Sequence, residues 1–337
     1  MKLISYQNSV NKPQIAILVD DDVYDLDQLD NSFPATMAEF LNGEEPLMEK
    51  AKEYDKKIKS GEIKNITPRN IKELKLLSPV PNPTSCRDAY AFRQHVASAR
   101  KNRGVDMIPE YDQYPVFYFT NHNAIEGPGE IVCMEDHFHK LDFELEAAIV
   151  IGKRGRNVRA EDADQYIAGF TIMNDMSARL LQMEEMKLNL GPAKGKDFST
   201  VIGPWLVTPD ELEDFKTSPK KGHTGLALKL GMKCRVNGKQ VSEGNLKDMD
   251  WTFAEIIERV SYGVDILPGD VIGSGTVGTG CFLELNGTGL RLDKNFKPQW
   301  LEDGDEVELE IDGLGILKNT IKKDADDFSI LARKKNV

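Results

Sequence analysis

The chain has 337 residues and a formal net charge of -12 at neutral pH, from 43 Lys and Arg against 55 Asp and Glu. This acidic balance argues against a nucleic-acid partner or an anionic membrane surface. No apolar stretch approaches the roughly 20 residues that a membrane-spanning helix needs. The four cysteines lie far apart in sequence and form no metal-binding pair, so the sequence predicts reduced thiols and a cytoplasmic location.

The first part of the chain is predicted to form a small α+β domain. Strands are expected at 3–6, 14–19 and 23–26, and charged helices at 35–41 and 47–60. Three prolines follow within 77–83, and proline resists both helix formation and sheet pairing. We therefore predict a domain boundary there, between a domain at 1–78 and a larger one at 84–337.

The larger domain is predicted to be rich in short strands. Glycine turns at 237–238 and 312–313 separate apolar runs that suit a mostly antiparallel sheet. A helix is expected at 87–95, where Asp88 and His95 would lie on nearly the same face, ~10 Å apart along the axis. The remaining helices are predicted at 160–168, 176–190 and 254–261.

Acidic and apolar residues alternate at 142–146, directly before the apolar run 147–151. On an extended strand alternate side chains share a face, so Asp142, Glu144 and Glu146 point the same way. A half-exposed strand with solvated carboxylates is the common explanation of such a pattern. If the row is buried, the high cost of an unpaired carboxylate predicts a metal ion, a cationic partner or a shifted pKa.

Polar side chains also follow the apolar strand predicted at 167–173. Asp175 lies where this strand gives way to a helix, and Arg179 and Gln182 follow four and seven positions later on one helical face. A basic, glycine-containing loop then holds Lys196. Taken alone, this loop is typical of a surface turn.

A glycine-rich segment at 269–280 surrounds Thr276 and is predicted to enter another strand, which ends at Glu284. Glycine-rich motifs bind phosphate where a strand leads into a helix. Because strand is expected to follow strand here, we reject a nucleotide site.

The order and content of these segments resemble the fumarylacetoacetate hydrolase superfamily over almost the whole chain. The motifs are the D-x-E-x-E strand, N-D-x-S-A-R at 174–179, G-K-x-F-x-T at 195–200, P-G-D-x-I-x-x-G-T at 268–276 and D-G-L-G-I-L-x-N at 312–319. The resemblance implies a β-rich α+β fold, in which a mixed β-sheet roll or barrel forms the catalytic domain beside the small N-terminal domain. It also implies a homodimer whose interface comes from the β-rich domain.

The resemblance further implies roles for individual residues. The metal ligands would be Asp88, Glu144, Glu146 and Asp175. Such oxygen donors suit Mg²⁺, Mn²⁺ or Ca²⁺ and disfavour zinc. The catalytic groups would be His95 and Glu284, which together activate water, and Arg179, Gln182 and Lys196, which stabilise an oxyanion. The substrate would contact Tyr90, Tyr118 and Thr276.

The implied reaction is metal-dependent hydrolysis of a C–C bond in a β-diketo acid, fumarylacetoacetate-like or acylpyruvate-like, as in aromatic amino acid catabolism. One alternative is decarboxylation or keto–enol isomerisation of a 2-oxo dicarboxylate on the same metal scaffold. A remote alternative is a metal-binding protein without catalytic activity.

The chain departs from fumarylacetoacetases at Met186, where those enzymes tend to place a pocket tyrosine, which leaves the natural substrate open. The charged segment 101–114 is either a lid or an ordinary surface loop.

Overall fold

The computed structural model describes residues 1–326 and 328–335. Strands dominate these residues. In the first half of the chain they are β1 (Lys2–Gln7), β2 (Pro13–Val19), β3 (Asp22–Asp25), β4 (Arg69–Asn70), β5 (Lys75–Leu76), β6 (Cys86–Ala89), β7 (Phe117–Thr120), β8 (Ile125–Glu126), β9 (Gly129–Cys133), β10 (Leu141–Asp142), β11 (Leu145–Ile151) and β12 (Gly155–Arg156).

The second half continues with strands that are mostly paired with their neighbours in sequence. They are β13 (Ile167–Asp175), β14 (Ser177–Ala178), β15 (Thr200–Val207), β16 (Lys216–Thr217), β17 (Ala227–Leu228), β18 (Gly231–Val236), β19 (Lys239–Asn245), β20 (Asp265–Ile266), β21 (Val271–Gly273), β22 (Glu306–Ile311) and β23 (Gly315–Lys323). The strand-rich α+β class predicted from the sequence is confirmed.

The α-helices are short, apart from one near the N-terminus. They are α1 (Leu26–Leu29), α2 (Met37–Asn42), α3 (Glu44–Lys59), α4 (Arg93–Asn102), α5 (Ala160–Ala163), α6 (Arg179–Met186), α7 (Phe253–Ser261) and α8 (Phe282–Leu292). Short 3-10 turns lie at Ile71–Glu73, Pro109–Asp112, Glu135–Phe138, Asp164–Tyr166, Pro209–Phe215, Leu246–Asp248 and Leu331–Arg333. Within 1–326 and 328–335, no helix combines the length and the apolar character that crossing a membrane requires.

The largest sheet has 12 strands, in the order β4-β3-β2-β1-β15-β13-β11-β21-β6-β7, with β5 beside β1 and β8 beside β15. Its path ends at β4 and β7, so the sheet is open rather than a closed barrel. A five-stranded sheet, β19-β18-β22-β23-β9, packs against it through the main apolar core.

The N-terminal strands belong to this same sheet. Strand β1 pairs antiparallel with β15, where Lys2 lies opposite Val207. A shared apolar cluster includes Leu3 and Phe40 from the N-terminal part together with Val150 from the central sheet. Hydrogen bonding and packing thus cross the predicted boundary at 78–84, and the division into two domains stays a prediction.

The central strands bring the acidic residues to one region of the sheet. Strand β11 pairs with β13, so that Glu146 lies opposite Met173. On its other side, β11 pairs with β21, and β21 pairs in parallel with β6, where Gly273 is in register with Asp88. Both β11 and β13 are buried along their whole length, which explains why they read as long apolar runs.

The helix predicted at 87–95 is wrong in its first half. Asp88 lies on strand β6, which pairs with β21 and β7, and the helix α4 begins only at Arg93. Asp88 and His95 therefore do not share a helical face. Sheet pairing with distant strands overrides the local helical pattern.

The prediction of a strand ending at Glu284 is also wrong, because Glu284 lies in the first turn of helix α8. The glycine-rich segment therefore does lead from a strand, β21, into a helix. The absence of a strand-to-helix connection therefore no longer argues against a nucleotide site. The contacts of this helix end still argue against such a site. The Asp142 carboxylate accepts hydrogen bonds from the first backbone amides of α8, those of Phe282 and Leu283, and these are the groups that a phosphate would bind.

Two other predicted helices are shorter than expected. The one predicted at 160–168 consists of α5 and a 3-10 turn, after which strand β13 begins at Ile167. The one predicted at 176–190 is reduced to α6, preceded by the short strand β14. Helix α7 agrees with the prediction and begins with a capping box between Thr252 and Glu255.

Candidate active site

Four buried carboxylates meet at the end of the central sheet. Asp88 comes from β6, Glu144 from the residue just before β11, Glu146 from the start of β11, and Asp175 from the end of β13. One carboxylate oxygen of each lies within 4.8 Å of those of the other three. The explanation of the acid row as a half-exposed strand with solvated carboxylates is therefore wrong, since these side chains are buried.

The carboxylates raise one another's pKa. Burial and the neighbouring Asp175 raise the pKa of Asp88 to about 8. Burial and the Asp88 carboxylate likewise raise the pKa of Glu146 well above its usual value. A cation among these oxygens would reverse this effect, because it favours the ionised form of each acid.

The cluster fits a divalent metal ion. All its donors are oxygens, which suit Mg²⁺, Mn²⁺ or Ca²⁺, and Oδ1 of Asp175 is buried without a hydrogen-bond partner. Behind the cluster, the backbone amide of Gly275 donates to Oδ1 of Asp88 at 3.0 Å and to Oε2 of Glu146 at 3.1 Å. These hydrogen bonds fix the orientation of two of the carboxylates.

Two buried cations contact the same cluster. The ammonium of Lys196 lies 2.5 Å from Oε2 of Glu144 and 2.5 Å from Oδ2 of Asp175. The guanidinium of Arg179 lies 2.7 Å from Oε1 of Glu144. Burial alone would raise the pKa of Glu144, but Lys196 and then Arg179 hold it below its usual range, so Glu144 stays ionised. The loop that carries Lys196 is thus part of the site and not a surface turn.

His95 and Glu284 form a buried pair beside these cations. Nδ1 of His95, on α4, lies 2.7 Å from Oε2 of Glu284, on α8, and the Thr279 amide donates to the same oxygen at 3.0 Å. Since an ionised carboxylate only accepts, Nδ1 carries the proton in this pair and Nε2 is left to accept one. The predicted pairing is present, although Glu284 lies on a helix where a strand had been predicted.

A cavity of about 460 Å³ connects these groups. Its polar wall contains Asp88, Tyr90, His95, Tyr118, Glu144, Arg179, Gln182, Lys196 and Thr276. The remaining predicted residues, Glu146, Asp175 and Glu284, lie behind this wall. The apolar part of its lining includes Val116, Phe117, Met183, Met186 and Leu283. Met186 thus lies in the pocket wall, where the family comparison of the sequence had placed a tyrosine.

The three residues predicted to bind substrate have different surroundings. Tyr118 donates its hydroxyl to Oδ2 of Asp175, and burial together with Asp175 raises its pKa well above the usual value. Burial and Glu144 raise the pKa of Tyr90 to about 12, so both phenols stay protonated. Thr276 donates to Oε1 of Glu146 at 3.4 Å, which places it behind the acids as well as in the cavity wall.

Sequence reasoning missed the functions of Asp142 and Asn174. Asn174 accepts a hydrogen bond from the Glu144 amide at 3.0 Å and so fixes the backbone of one predicted metal ligand. Asp142 was recognised as part of the acid row, but it contacts Arg179 and the N-terminus of α8 rather than the other acids. Its position at the start of the alternating row was the only signal in the sequence.

A second set of donors, His95, Glu144 and Cys281, also has ligand atoms within 4.8 Å of one another. Glu144 belongs to both sets, so only the other donors distinguish them. Burial raises the pKa of the Cys281 thiol well above its usual value, and a protonated thiol does not bind metal. The four-carboxylate cluster is therefore the better metal site.

Buried acids with shifted pKa values around a cavity of this size are typical of an enzyme active site, and this is the class of protein that the fold and the site define. Residues 84–322 match the family described as fumarylacetoacetate (FAA) hydrolase C-terminal. The chain belongs to this family, as its sequence motifs implied.

Several relatives match most of the chain. An oxaloacetate tautomerase named as mitochondrial, from Xenopus laevis, is 30% identical over 327 residues, which cover 95% of this chain and 90% of the relative. An oxaloacetate tautomerase from Bacillus subtilis is 30% identical over 259 residues, which cover 75% of this chain and 74% of the relative.

Solved structures share the fold. A maleylpyruvate hydrolase from Sphingobium sp. SYK-6, in complex with manganese(II) and pyruvate, has a TM-score of 0.68 at 20% identity, over 96% of this chain and 99% of that chain. A 5-carboxymethyl-2-hydroxymuconate delta-isomerase from Mycobacterium smegmatis has a TM-score of 0.63 at 22% identity, over 96% of this chain and 100% of that chain.

Proposed function

We propose that this protein is a metal-dependent keto–enol tautomerase of a 2-oxo dicarboxylic acid of the oxaloacetate type. The observation that carries the proposal is one cavity lined by two of the four carboxylates, the two buried cations and His95, with the other two carboxylates behind its wall. The names of the two tautomerase relatives support this reaction over the C–C hydrolysis that the sequence first suggested. Tautomerisation was the alternative to that hydrolysis.

The ligands would be Asp88, Glu144, Glu146 and Asp175. When bound there, a divalent ion would supply a Lewis acid for the negative charge that develops on the substrate oxygens. The manganese in the Sphingobium hydrolase is consistent with such an ion. Mg²⁺, with Mn²⁺ or Ca²⁺ as alternatives, stays the predicted ion in this protein.

The side chains of this protein would bind the substrate and move the proton. Arg179 and Lys196 present cationic donors to carboxylate and enolate oxygens, and Gln182, which accepts from Arg179 at 3.0 Å, holds the guanidinium in place. In the keto form, Nε2 of His95 accepts the proton from the carbon next to the ketone, and the C–H electron pair forms the C=C bond. The carbonyl electron pair moves to oxygen, which then takes the proton from the His95 imidazolium, so the ring returns to its starting state and no water is consumed.

Conversion of enol-oxaloacetate to the keto form, followed by absorbance with Mg²⁺ or Mn²⁺ present, tests this proposal. We expect His95→Ala to lower kcat by about 10²-fold or more, because general acid–base catalysis contributes on that order. His122→Ala is the control, since His122 is exposed. Wild-type protein that does not exceed the rate of the free metal ion would rule the proposal out.

Hydrolysis of a C–C bond in an acylpyruvate is a second candidate, favoured by the buried His95–Glu284 pair. Such a pair can activate water, and one structural neighbour is named a maleylpyruvate hydrolase. Tautomerisation releases no pyruvate, whereas hydrolysis of an acylpyruvate does. Metal-dependent pyruvate release that is lost in both His95→Ala and Glu284→Gln would favour the hydrolase.

The other expectations belong to this proposal. A homodimer, a small-molecule 2-oxo acid as substrate, a cytoplasmic location, and the absence of nucleic-acid and membrane partners stay predictions. The lid suggested for 101–114 also stays a prediction; Asn102 and Arg103, at its start, line the cavity.

A further inference from the structure

We propose that Asp142 is a positioning residue, which holds Arg179 and the helix that carries Glu284 in one fixed arrangement. This inference rests on the proposed function, because it concerns the same active site. It assigns the first acid of the 142–146 row to the alignment of catalytic groups rather than to metal binding.

Both oxygens of Asp142 are fully used by protein donors. Oδ1 accepts from the Phe282 amide at 2.7 Å and from the Phe143 amide at 3.0 Å. Oδ2 accepts from the Leu283 amide at 2.9 Å and from Nε of Arg179 at 2.9 Å, with Nη2 of Arg179 at 2.7 Å. The side chain is completely buried, at 0% exposure, so no other partner can replace these donors.

The contact to helix α8 determines where Glu284 lies. The N-cap residue of α8 is Cys281, whose sulfur accepts only weakly from the Glu284 amide, at 3.5 Å. The strong acceptor at this helix end is therefore the Asp142 carboxylate, and a negative charge is stabilising there. Glu284 follows directly after the two amides that Asp142 holds, so a shift of this turn would move Glu284 relative to Nδ1 of His95.

The contact to Arg179 aligns the other half of the site. Arg179 bridges Asp142 and Glu144 and also donates to Gln182. One carboxylate thus links the cationic donors on α6 to the proton-transfer pair formed by α4 and α8. A displacement of about 1 Å between such groups can lower a rate by about 10²-fold.

Asp142→Asn tests the proposal, because asparagine keeps the shape but can offer only one oxygen to the five donor nitrogens. We expect kcat for enol-oxaloacetate to fall at least ~10-fold, while KM and the Kd for Mn²⁺ change by less than ~3-fold. The matched control is Asp270→Asn: Asp270 is also buried and bonded to an arginine, Arg87, but its other partners are Thr84, Ser85 and the Leu267 amide rather than Arg179 or helix α8. Equal effects of both variants on kcat would overturn the proposal.

A double-mutant cycle separates positioning from general destabilisation. If Asp142 acts largely through Glu284, Asp142→Asn should have a much smaller effect on kcat in a Glu284→Gln background than in the wild type. The fold-changes in kcat caused by Asp270→Asn and Glu284→Gln should multiply in the double variant. Full multiplicativity of Asp142→Asn with Glu284→Gln would contradict the proposal.

A spectroscopic measurement keeps the test independent of activity. The proton of the His95–Glu284 hydrogen bond should give a downfield NMR signal in wild-type protein, identified by its loss in Glu284→Gln. We expect Asp142→Asn to shift or remove this signal and Asp270→Asn to preserve it.

Should Asp142→Asn fail to fold, Asp142→Ser retains one acceptor for the helix amides and is expected to shift the signal as well. An unchanged signal in the folded variant overturns the inference, whereas an inactive wild type with the expected signal changes overturns only the proposed function.

Discussion

At the scale of single residues, Gly273 shows how closely the acid cluster is built. A Cβ at this position would lie 2.5 Å from Oδ1 of Asp88 and 2.9 Å from Oε2 of Glu146. These distances are shorter than any tolerable contact, so the two carboxylates can approach each other only across a glycine. The backbone of β21 is therefore part of the site, although Gly273 carries no chemical group.

We expect Gly273→Ala to weaken Mn²⁺ binding at least ~10-fold, because the new methyl group would push apart two predicted ligands. Calorimetric titration of the purified protein with MnCl₂ measures this effect. The control is Gly244→Ala in strand β19, where the atoms nearest to the new methyl group belong to the Val277 side chain rather than to the acids. Unchanged Mn²⁺ affinity in a folded Gly273→Ala variant would argue against the four-carboxylate site.

At the scale of elements, a 3-10 turn supports the loop that carries Lys196. His137, in the turn Glu135–Phe138, stacks on Phe198 with ring centroids 4.0 Å apart, and its Nδ1 accepts from the Met134 amide at 3.2 Å. Burial, followed by the charge of Lys194, lowers the pKa of His137 from 6.5 to about 4. The turn thus holds a neutral imidazole against the catalytic loop.

This histidine makes folding stability depend on pH. Above pH 6.5 the ring is neutral in both the folded and the unfolded chain, but between 6.5 and about 4 only the unfolded chain binds the proton. Its contribution, up to about 3 kcal/mol, is therefore lost as the pH falls through this window. Urea denaturation from pH 7 to 4 should show a shallower decline for His137→Asn than for the wild type, whereas His122→Asn should keep the wild-type slope.

Some elements of the site could be predicted from the sequence and others could not. The alternation at 142–146 and the apolar run after it were enough to place the three acids on one face of a strand, because both depend on residues adjacent in sequence. They did not decide whether that face is buried. The secondary structure around Asp88 and Glu284 was not predictable in this way. Asp88 is held in a strand by β21, and the start of α8 is bonded to Asp142. Both partners lie far away in the chain, where local propensity carries no information.

At the scale of the whole molecule, the acid cluster opposes folding unless a cation offsets its charge. Burial and mutual repulsion raise the pKa values of Asp88 and Glu146, so ionising these groups at neutral pH destabilises the folded chain. A divalent ion that binds the folded state alone stabilises it by mass action, by about 2.7 kcal/mol at a concentration 100 times its Kd.

We therefore expect Mg²⁺ or Mn²⁺ to raise Tm by several degrees at saturating concentration, as measured by scanning fluorimetry. Asp175→Asn should abolish most of this shift because it removes one of the four ligands. Asp270→Asn, which alters a buried acid outside the cluster, should retain the shift. A metal-independent Tm in the wild type would contradict the predicted site.

The pairing of β1 with β15 has a consequence for any attempt to isolate residues 84–337. Strand β15 also pairs with β13, the strand that ends in Asp175. Without β1, such a fragment would expose a bare hydrogen-bonding edge and the apolar surface of Ile202 and Leu206 that Leu3 now helps to cover. Exposed edges of this kind promote aggregation, so a shortened version is expected to precipitate on expression even though it retains every side chain assigned to catalysis.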